Sequence, residues 1–235
     1  MCGRYTIFTP PDTLEDRFSV TTRRSLEPRY NAAPGQKLPV ITNDAPETID
    51  HLQWGLIPGW ADDPSIGNRL INARAETVDE KRSFKEAYER RRCLVLADGF
   101  YEWTETDAGK QPYRVTIDGG EPFALAGLWE RWHPPQKQTG LDEFGDGEPD
   151  SEADPIETFT IVTTEPNSVI EPLHDRMAVV LSPDSERQWL AGEADGKELL
   201  EPYPAEEMRA YPVSTAVNSP ANDSSELVEE VDASA

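Results

Sequence analysis

Short runs dominate the hydrophobic pattern of this 235-residue chain, and most of them suit strands better than helices. The opening "RYTIFTPPDTLEDRF" (4–18) predicts a short strand, a break at Pro10–Pro11, then a helix with Asp12 as its N-cap. "LPVIT" (38–42), "YRVTI" (113–117), "FALAGLWERW" (123–132) and "TFTIVTT" (158–164) have strand length and strand composition. "CLVLADGFYEW" (93–103) predicts a buried strand that turns at Asp98–Gly99 and runs on. "HLQWGLIPGWA" (51–61) is aromatic and broken by Gly and Pro, which predicts strand and turn. Helical spacing returns in "SFKEAYERRR" (83–92), through Phe84, Ala87 and Tyr88, and in "DSERQWLAG" (184–192), which Gly192 stops. "MRAYPVS" (208–214) is a last strand.

Strands outnumber helices and short turns join them. The expected fold is therefore α+β: a single domain with a curved, mostly antiparallel, barrel-like β-sheet core and a few flanking helices. "HPPQKQTGLDEFGDGEPDSEADPIE" (133–157) lies between two strands with almost no apolar pattern, and is expected to be a flexible acidic loop. The domain is expected to span residues 2–222, with 223–235 as an acidic disordered tail.

Composition sharpens this picture. The chain has 45 acids against 22 bases, a net charge of −23. The segment 133–157 contributes eight acids and one lysine, and 221–235 contributes five acids and no base. The excess that remains is spread along the chain, which fits a protein built for high salt, where self-repulsion is screened. Charge alone argues against nucleic acid, yet arginine dominates the bases and several arginines fall beside the motifs below. No apolar run has membrane-spanning length and no signal-peptide core opens the chain, so a cytoplasmic protein without a membrane partner is expected. Two cysteines (Cys2, Cys93) and three scattered histidines give neither a disulfide framework nor a metal-ligand spacing. Neither metal nor cofactor is expected.

Several polar residues stand where chemistry is plausible. Cys2 directly follows the initiator methionine; if Met1 is removed, its α-amine and thiol form a 1,2-aminothiol. "INARAET" places Asn72, Arg74 and Glu76 in a polar turn between apolar pieces, which an ordinary loop also explains. In "ADGFYEW" strand alternation puts Glu102 on the face of Phe100, while Tyr101 and Trp103 share the other. A carboxyl among aromatics is either paired with an arginine or held at a raised pKa for proton transfer. "EPLHDRMAVVL" sets His174 and Arg176 at strand period before an apolar run. Trp54 and Trp60 of "WGLIPGW" are either core or platforms on which bases stack.

Taken in order, "MCGRY", "YNAAPGQ", "WGLIPGW", "INARAET", "RRCLVLADGFYEW", "HDRMAVVL" and "VSTAVNSP" resemble the SRAP family, the SOS response-associated peptidase-like or abasic-site processing proteins. The resemblance runs from Cys2 to about Leu227 and omits the acidic loop and tail. It implies a covalent link between the N-terminal cysteine and an abasic site in single-stranded DNA. By match to the family motifs, Cys2 is the nucleophile, Asn72 and Arg74 position it and a DNA phosphate, and Glu102 and His174 do acid–base work. Arg176 completes the "HDRM" pair and Asn31 lines the site. Arg4 holds phosphate, and Trp54 and Trp60 belong to the DNA-binding set. Ala178 and Leu96 stand where the family commonly has proline, which bears on backbone stiffness and not on a reacting atom.

The residues also allow a chemical argument. A free α-amine has a pKa near 8, so a useful fraction is neutral at physiological pH. It can attack the aldehyde of a ring-opened abasic sugar and lose water to give an imine. The thiol then closes on the same carbon as a five-membered thiazolidine, aided by proximity. Only a terminal cysteine carries both nucleophiles. The same imine permits β-elimination. Two other readings fit the same residues: a thiol peptidase acting on itself or other proteins, and a non-covalent binder of modified or damaged DNA. A monomer is expected.

Overall fold

In the computed structural model the described residues are 2–107, 109–135, 154–192 and 196–232. The first half holds β1 (Tyr5–Ile7), α1 (Pro11–Phe18), β2 (Thr21–Thr22), β3 (Arg29–Ala32), β4 (Lys37–Thr42), β5 (Thr48–Trp54), β6 (Asn72–Arg74), α2 (Lys85–Arg90) and β7 (Arg92–Ala97). The second half holds β8 (Gly99–Thr106), β9 (Gly109–Ile117), β10 (Phe123–Trp132), β11 (Ile156–Thr164), β12 (Met177–Ala178), β13 (Val180–Leu181), α3 (Pro183–Ala191) and β14 (Met208–Pro212). The fold is α+β and strand-rich, as its pattern of short apolar runs predicts.

Five strands close on themselves. β11, β10, β7, β4 and β5 pair in turn, each antiparallel to the next. β5 then returns to β11 in parallel register, Phe159 opposite Trp54. Closure removes the free edges that a five-stranded sheet would otherwise expose. A second, antiparallel sheet runs in the order β14-β9-β8-β1-β3. Both sheets feed one apolar core, in which Tyr5 and Phe100 from the second sheet join Trp54, Val95 and Phe159 from the barrel. Helix α3 packs on the barrel, where Trp189 donates its indole N–H to the Cys93 carbonyl at 3.1 Å.

Three details differ from the sequence expectations. Pro10, not Asp12, is the N-cap of α1; Pro11 occupies the first helical position, where a missing N–H costs nothing, and Asp12 falls in the first turn. β11 begins at Ile156, inside the expected acidic loop; residues 136–153 of that loop lie outside the described residues. Residues of the expected tail are described through 232, and they pack against the domain. A 3₁₀ turn at Ser225–Val228 buries Leu227 in a cluster with Tyr101, Tyr211, Val213 and Val217. Asp223 accepts the backbone N–H groups of Tyr30 and Asn31 at 2.6 and 3.0 Å and pairs with Arg29. Asp223 reads as part of a solvated run because its partners are some 190 residues away in sequence.

Two links between elements set up the site. Asp98, at the turn between β7 and β8, accepts the Thr6 hydroxyl at 2.5 Å and the backbone N–H groups of Phe8 and Thr9 at 2.6 and 2.9 Å. It thereby ties the middle and the C-terminal end of β1 to the start of β8. The turn after β5 is held by close backbone approach. Gly55 has φ +124°, and a Cβ there would lie 2.7 Å from the Gly67 carbonyl oxygen. Only glycine fits such a position. Leu56 donates to the Leu70 carbonyl at 3.1 Å, which closes the intervening loop and returns the chain beside this turn just before β6.

Candidate functional site

The register of β1 on β8 carries the start of the chain to Glu102. Tyr5 lies opposite Phe100, and the Tyr101 N–H donates to the Arg4 carbonyl at 3.0 Å, one step nearer the terminus. Cys2 continues this line. It is fully buried, and its Sγ lies 4.0 Å from the Arg4 carbonyl oxygen. From the barrel side, Asn72 Nδ2 donates to the Cys2 carbonyl at 2.9 Å. The other amide atom, Asn72 Oδ1, is buried without a hydrogen-bond partner among the described residues.

Electrostatics at this point favour neutral groups. Burial raises the Cys2 thiol well above the ordinary thiol range, and the negative charge of Glu102 raises it further. Glu102 itself is 1% exposed. Burial lifts its carboxyl to about 7. A group with that pKa exchanges its proton readily at neutral pH, which suits general acid–base work. Burial lowers the His174 imidazole. His174 Nδ1 accepts the Arg176 backbone N–H at 3.0 Å, which leaves the proton of the neutral ring on Nε2. The Asp175 carboxylate, 2.8 Å from the same Nδ1, suits only the imidazolium.

His174 and Arg176 sit just before β12, which pairs with the end of β11; β6 lies along β11 in parallel, with Arg74 opposite Thr163. Arg176 bridges these elements. Its guanidinium donates to both oxygens of Glu76 at 2.6 and 3.0 Å and to the Thr163 carbonyl at 2.6 Å. Glu102, Trp103, Lys110, His174 and Asn218 line an open cleft of about 510 Å³. The sequence motifs "MCGRY", "INARAET", "GFYEW" and "HDRM" thus converge on one place, although up to 174 positions separate them.

The expected DNA-contacting residues divide. Arg74 is exposed, with no ion-pair partner among the described residues. Arg4 is half-buried and donates to Asn31 Oδ1 at 2.8 Å and to the Val217 carbonyl at 2.9 Å. Asn31 does not line a binding surface: it is 1% exposed, and its Nδ2 donates to the carbonyls of Val217, Ser219 and Asn222. Its amide nitrogen clamps the C-terminal segment while its oxygen accepts from Arg4. Trp54 does not present a stacking face either. It is 1% exposed, lies between Tyr5 and Phe159, and donates its N–H to the Ile71 carbonyl at 2.9 Å. Trp60 is 43% exposed, with the Arg82 guanidinium 4.4 Å over its ring. None of the ring contacts or hydrogen bonds found for Trp60 involves a cleft residue. Cys93 is buried in the barrel, as a strand residue should be.

Trp103, Lys110 and Asn218 are the cleft residues that sequence reasoning passed over, and Trp103 is the aromatic one. Its indole N–H donates to Asn218 Oδ1 at 2.7 Å, so the C-terminal segment fixes it at the cleft wall. Strand alternation assigned Trp103 to the face away from Glu102. The signal that would have found it is its place next to the carboxyl, near the end of a strand where the cleft opens.

The sequence model of the family described as "SOS response associated peptidase (SRAP)" matches residues 1–220. The chain is 41% identical to the abasic site processing protein YoqW of Bacillus subtilis, over 97% of this chain and 99% of that one. It is 34% identical to the abasic site processing protein YedK of Escherichia coli, over 98% of this chain and 100% of that one. A crystal structure of a protein from Bacteroides thetaiotaomicron superposes with a TM-score of 0.82 at 27% identity, covering 98% of this chain and 100% of that one.

Proposed function

The chain belongs to the SOS response associated peptidase (SRAP) family, and on that premise we propose that it processes abasic sites in single-stranded DNA by forming a covalent crosslink through Cys2 once Met1 has been removed. Its similarity to proteins named abasic site processing proteins supports the substrate class. The observation that carries the chemistry is the pairing of a clamped second residue with a carboxyl at pKa about 7: Asn72 holds the Cys2 carbonyl, and the Glu102 charge acts on the Cys2 thiol.

The order of steps follows from the pKa directions. A thiol raised by burial is protonated at neutral pH and does not attack first. The freed amine attacks the aldehyde carbon, and the carbonyl oxygen takes one of the amine's two protons and becomes a hydroxyl. Glu102 takes the proton from nitrogen and returns it to that hydroxyl, which leaves as water and gives the imine. The thiol then adds across the C=N bond: sulfur bonds to carbon and the thiol proton ends on nitrogen. One water leaves overall. The unpartnered Asn72 Oδ1 is available to accept from the new amine. His174 Nε2–H supplies the acid that opens the sugar ring to its aldehyde. The same raised thiol argues against a thiol peptidase, whose nucleophile needs a lowered pKa. Trp103 in the cleft wall offers a face to a base, and Arg74 and Lys110 offer cations to phosphates.

The test is incubation with an abasic oligonucleotide followed by a denaturing gel. Cys2→Ala is expected to give no shifted band, and Cys93→Ala a band of wild-type intensity. A crosslink formed by Cys2→Ala would overturn the proposal.

A further inference from the structure

Arg176 is a phosphate-shaped fork that is already filled. A guanidinium presents parallel N–H groups that match a carboxylate and a phosphate equally well. Here both oxygens of Glu76 occupy it, and the Thr163 carbonyl takes a further contact of Nη2. The arginine side chain is only 13% exposed, whereas the Glu76 side chain is 51% exposed. The cation is thus fixed, and the anion is the partner free to leave. Hydrogen bonding from Arg176 holds the Glu76 carboxyl below the usual carboxylate range, so it remains anionic at neutral pH. Glu76 lies two residues after Arg74, whose guanidinium is exposed and unpaired among the described residues. It also lies on the same bridge that orients His174, through the Arg176 backbone N–H.

We propose that Glu76 is a stand-in for a backbone phosphate: it fills the Arg176 fork in the free protein and is displaced when a DNA strand enters the cleft. This rests on the DNA-binding reading given above. The exchange has two consequences. The fork is held in shape before DNA arrives, so Arg176 and His174 need not be ordered on binding. Each binding event must also expel a carboxylate, which discriminates against weakly held anions. A lone surface anion does not expel it; a strand that is anchored elsewhere along the cleft does. In a chain of net charge −23, this selects against non-specific occupancy of a cationic site.

The experiment measures equilibrium binding of an intact single-stranded oligothymidylate, which cannot crosslink, to the full chain at several salt concentrations. The proteins are wild type, Glu76→Gln, Arg176→Gln and the double variant, with Arg176→Lys as the version that keeps charge and loses the fork. Glu76→Gln is expected to bind about 3- to 10-fold tighter. Its slope of log K against log salt should be steeper than wild type by about 0.7, because a displaced carboxylate no longer takes up the cation that the phosphate releases. The gain should vanish in the Arg176→Gln background and shrink in Arg176→Lys. Unchanged or weaker binding by Glu76→Gln would overturn the stand-in and leave a purely structural latch. A gain that persists without Arg176 would reduce it to bulk charge and overturn it equally. Wild type that binds no oligothymidylate overturns the DNA-binding reading itself, and the stand-in with it.

Discussion

Glu102 shows most clearly how burial sets chemistry at a single position. Its carboxyl keeps its proton up to about pH 7, well above the ordinary carboxylate value of 4.5. Folding therefore takes up a proton between about pH 4.5 and 7, and stability falls as pH rises across that window. The loss amounts to about 3 kcal/mol above pH 7. Glu102→Gln removes it, so the variant should melt close to wild type at pH 5 and clearly above it at pH 8. Thermal melts across that range check this. The same substitution should slow crosslinking by about two orders of magnitude, since it deletes the proton acceptor. The wild-type rate should climb with pH through 7 as Glu102 ionises, and Glu102→Gln should lose that limb; single-turnover rates decide. Sequence reading could place Glu102 on an aromatic face and name its two possible states, but not choose between them. The burial of Trp54 and Asn31 is hidden in the sequence for a related reason. A tryptophan beside a Gly-Pro turn and an asparagine before a proline segment look the same whether they face solvent or a partner distant in the chain.

At the level of elements, the site depends on two braces. Asp98 pins β1 on β8 and sits 3.3 Å from the buried Arg114. Asp98→Asn leaves that guanidinium without its counter-charge and should cost about 3–5 kcal/mol. Denaturant midpoints measure it. The second brace is the C-terminal segment, which clamps Arg4 and Asn31 and presents Asn218 to Trp103. Leu227→Ala, at 3% exposure, should destabilise by about 2–5 kcal/mol. Deleting residues 223–235 should lower the melting temperature and weaken crosslinking together, whereas a disordered tail would leave both unchanged. The strands of both sheets were legible because alternation and β-branched runs are local signals. The C-terminal docking was not, since its apolar content is one leucine and two valines among five acids, and its partners lie on β3, β8 and β14.

For the molecule as a whole, the acidic surface and the cationic site are separate facts. The net charge is −23, while Arg74, opposite Thr163 of β11, and Arg176, which donates to the Thr163 carbonyl, meet at the end of that strand. Phosphate contacts weaken steeply with salt, but a thiazolidine does not. Reversible binding of intact single-stranded DNA should therefore fall by orders of magnitude between low salt and molar KCl, while the final crosslink yield on abasic DNA declines much less. A yield that falls in step with reversible binding would separate this chain from a high-salt role. The most direct test of the account is the intact mass of the purified protein before and after mixing with an abasic oligonucleotide. The account predicts a chain lacking one methionine, and then a product equal to protein plus oligonucleotide less one water. A chain that retains Met1 and still forms the product, or a processed chain that forms none, would contradict it.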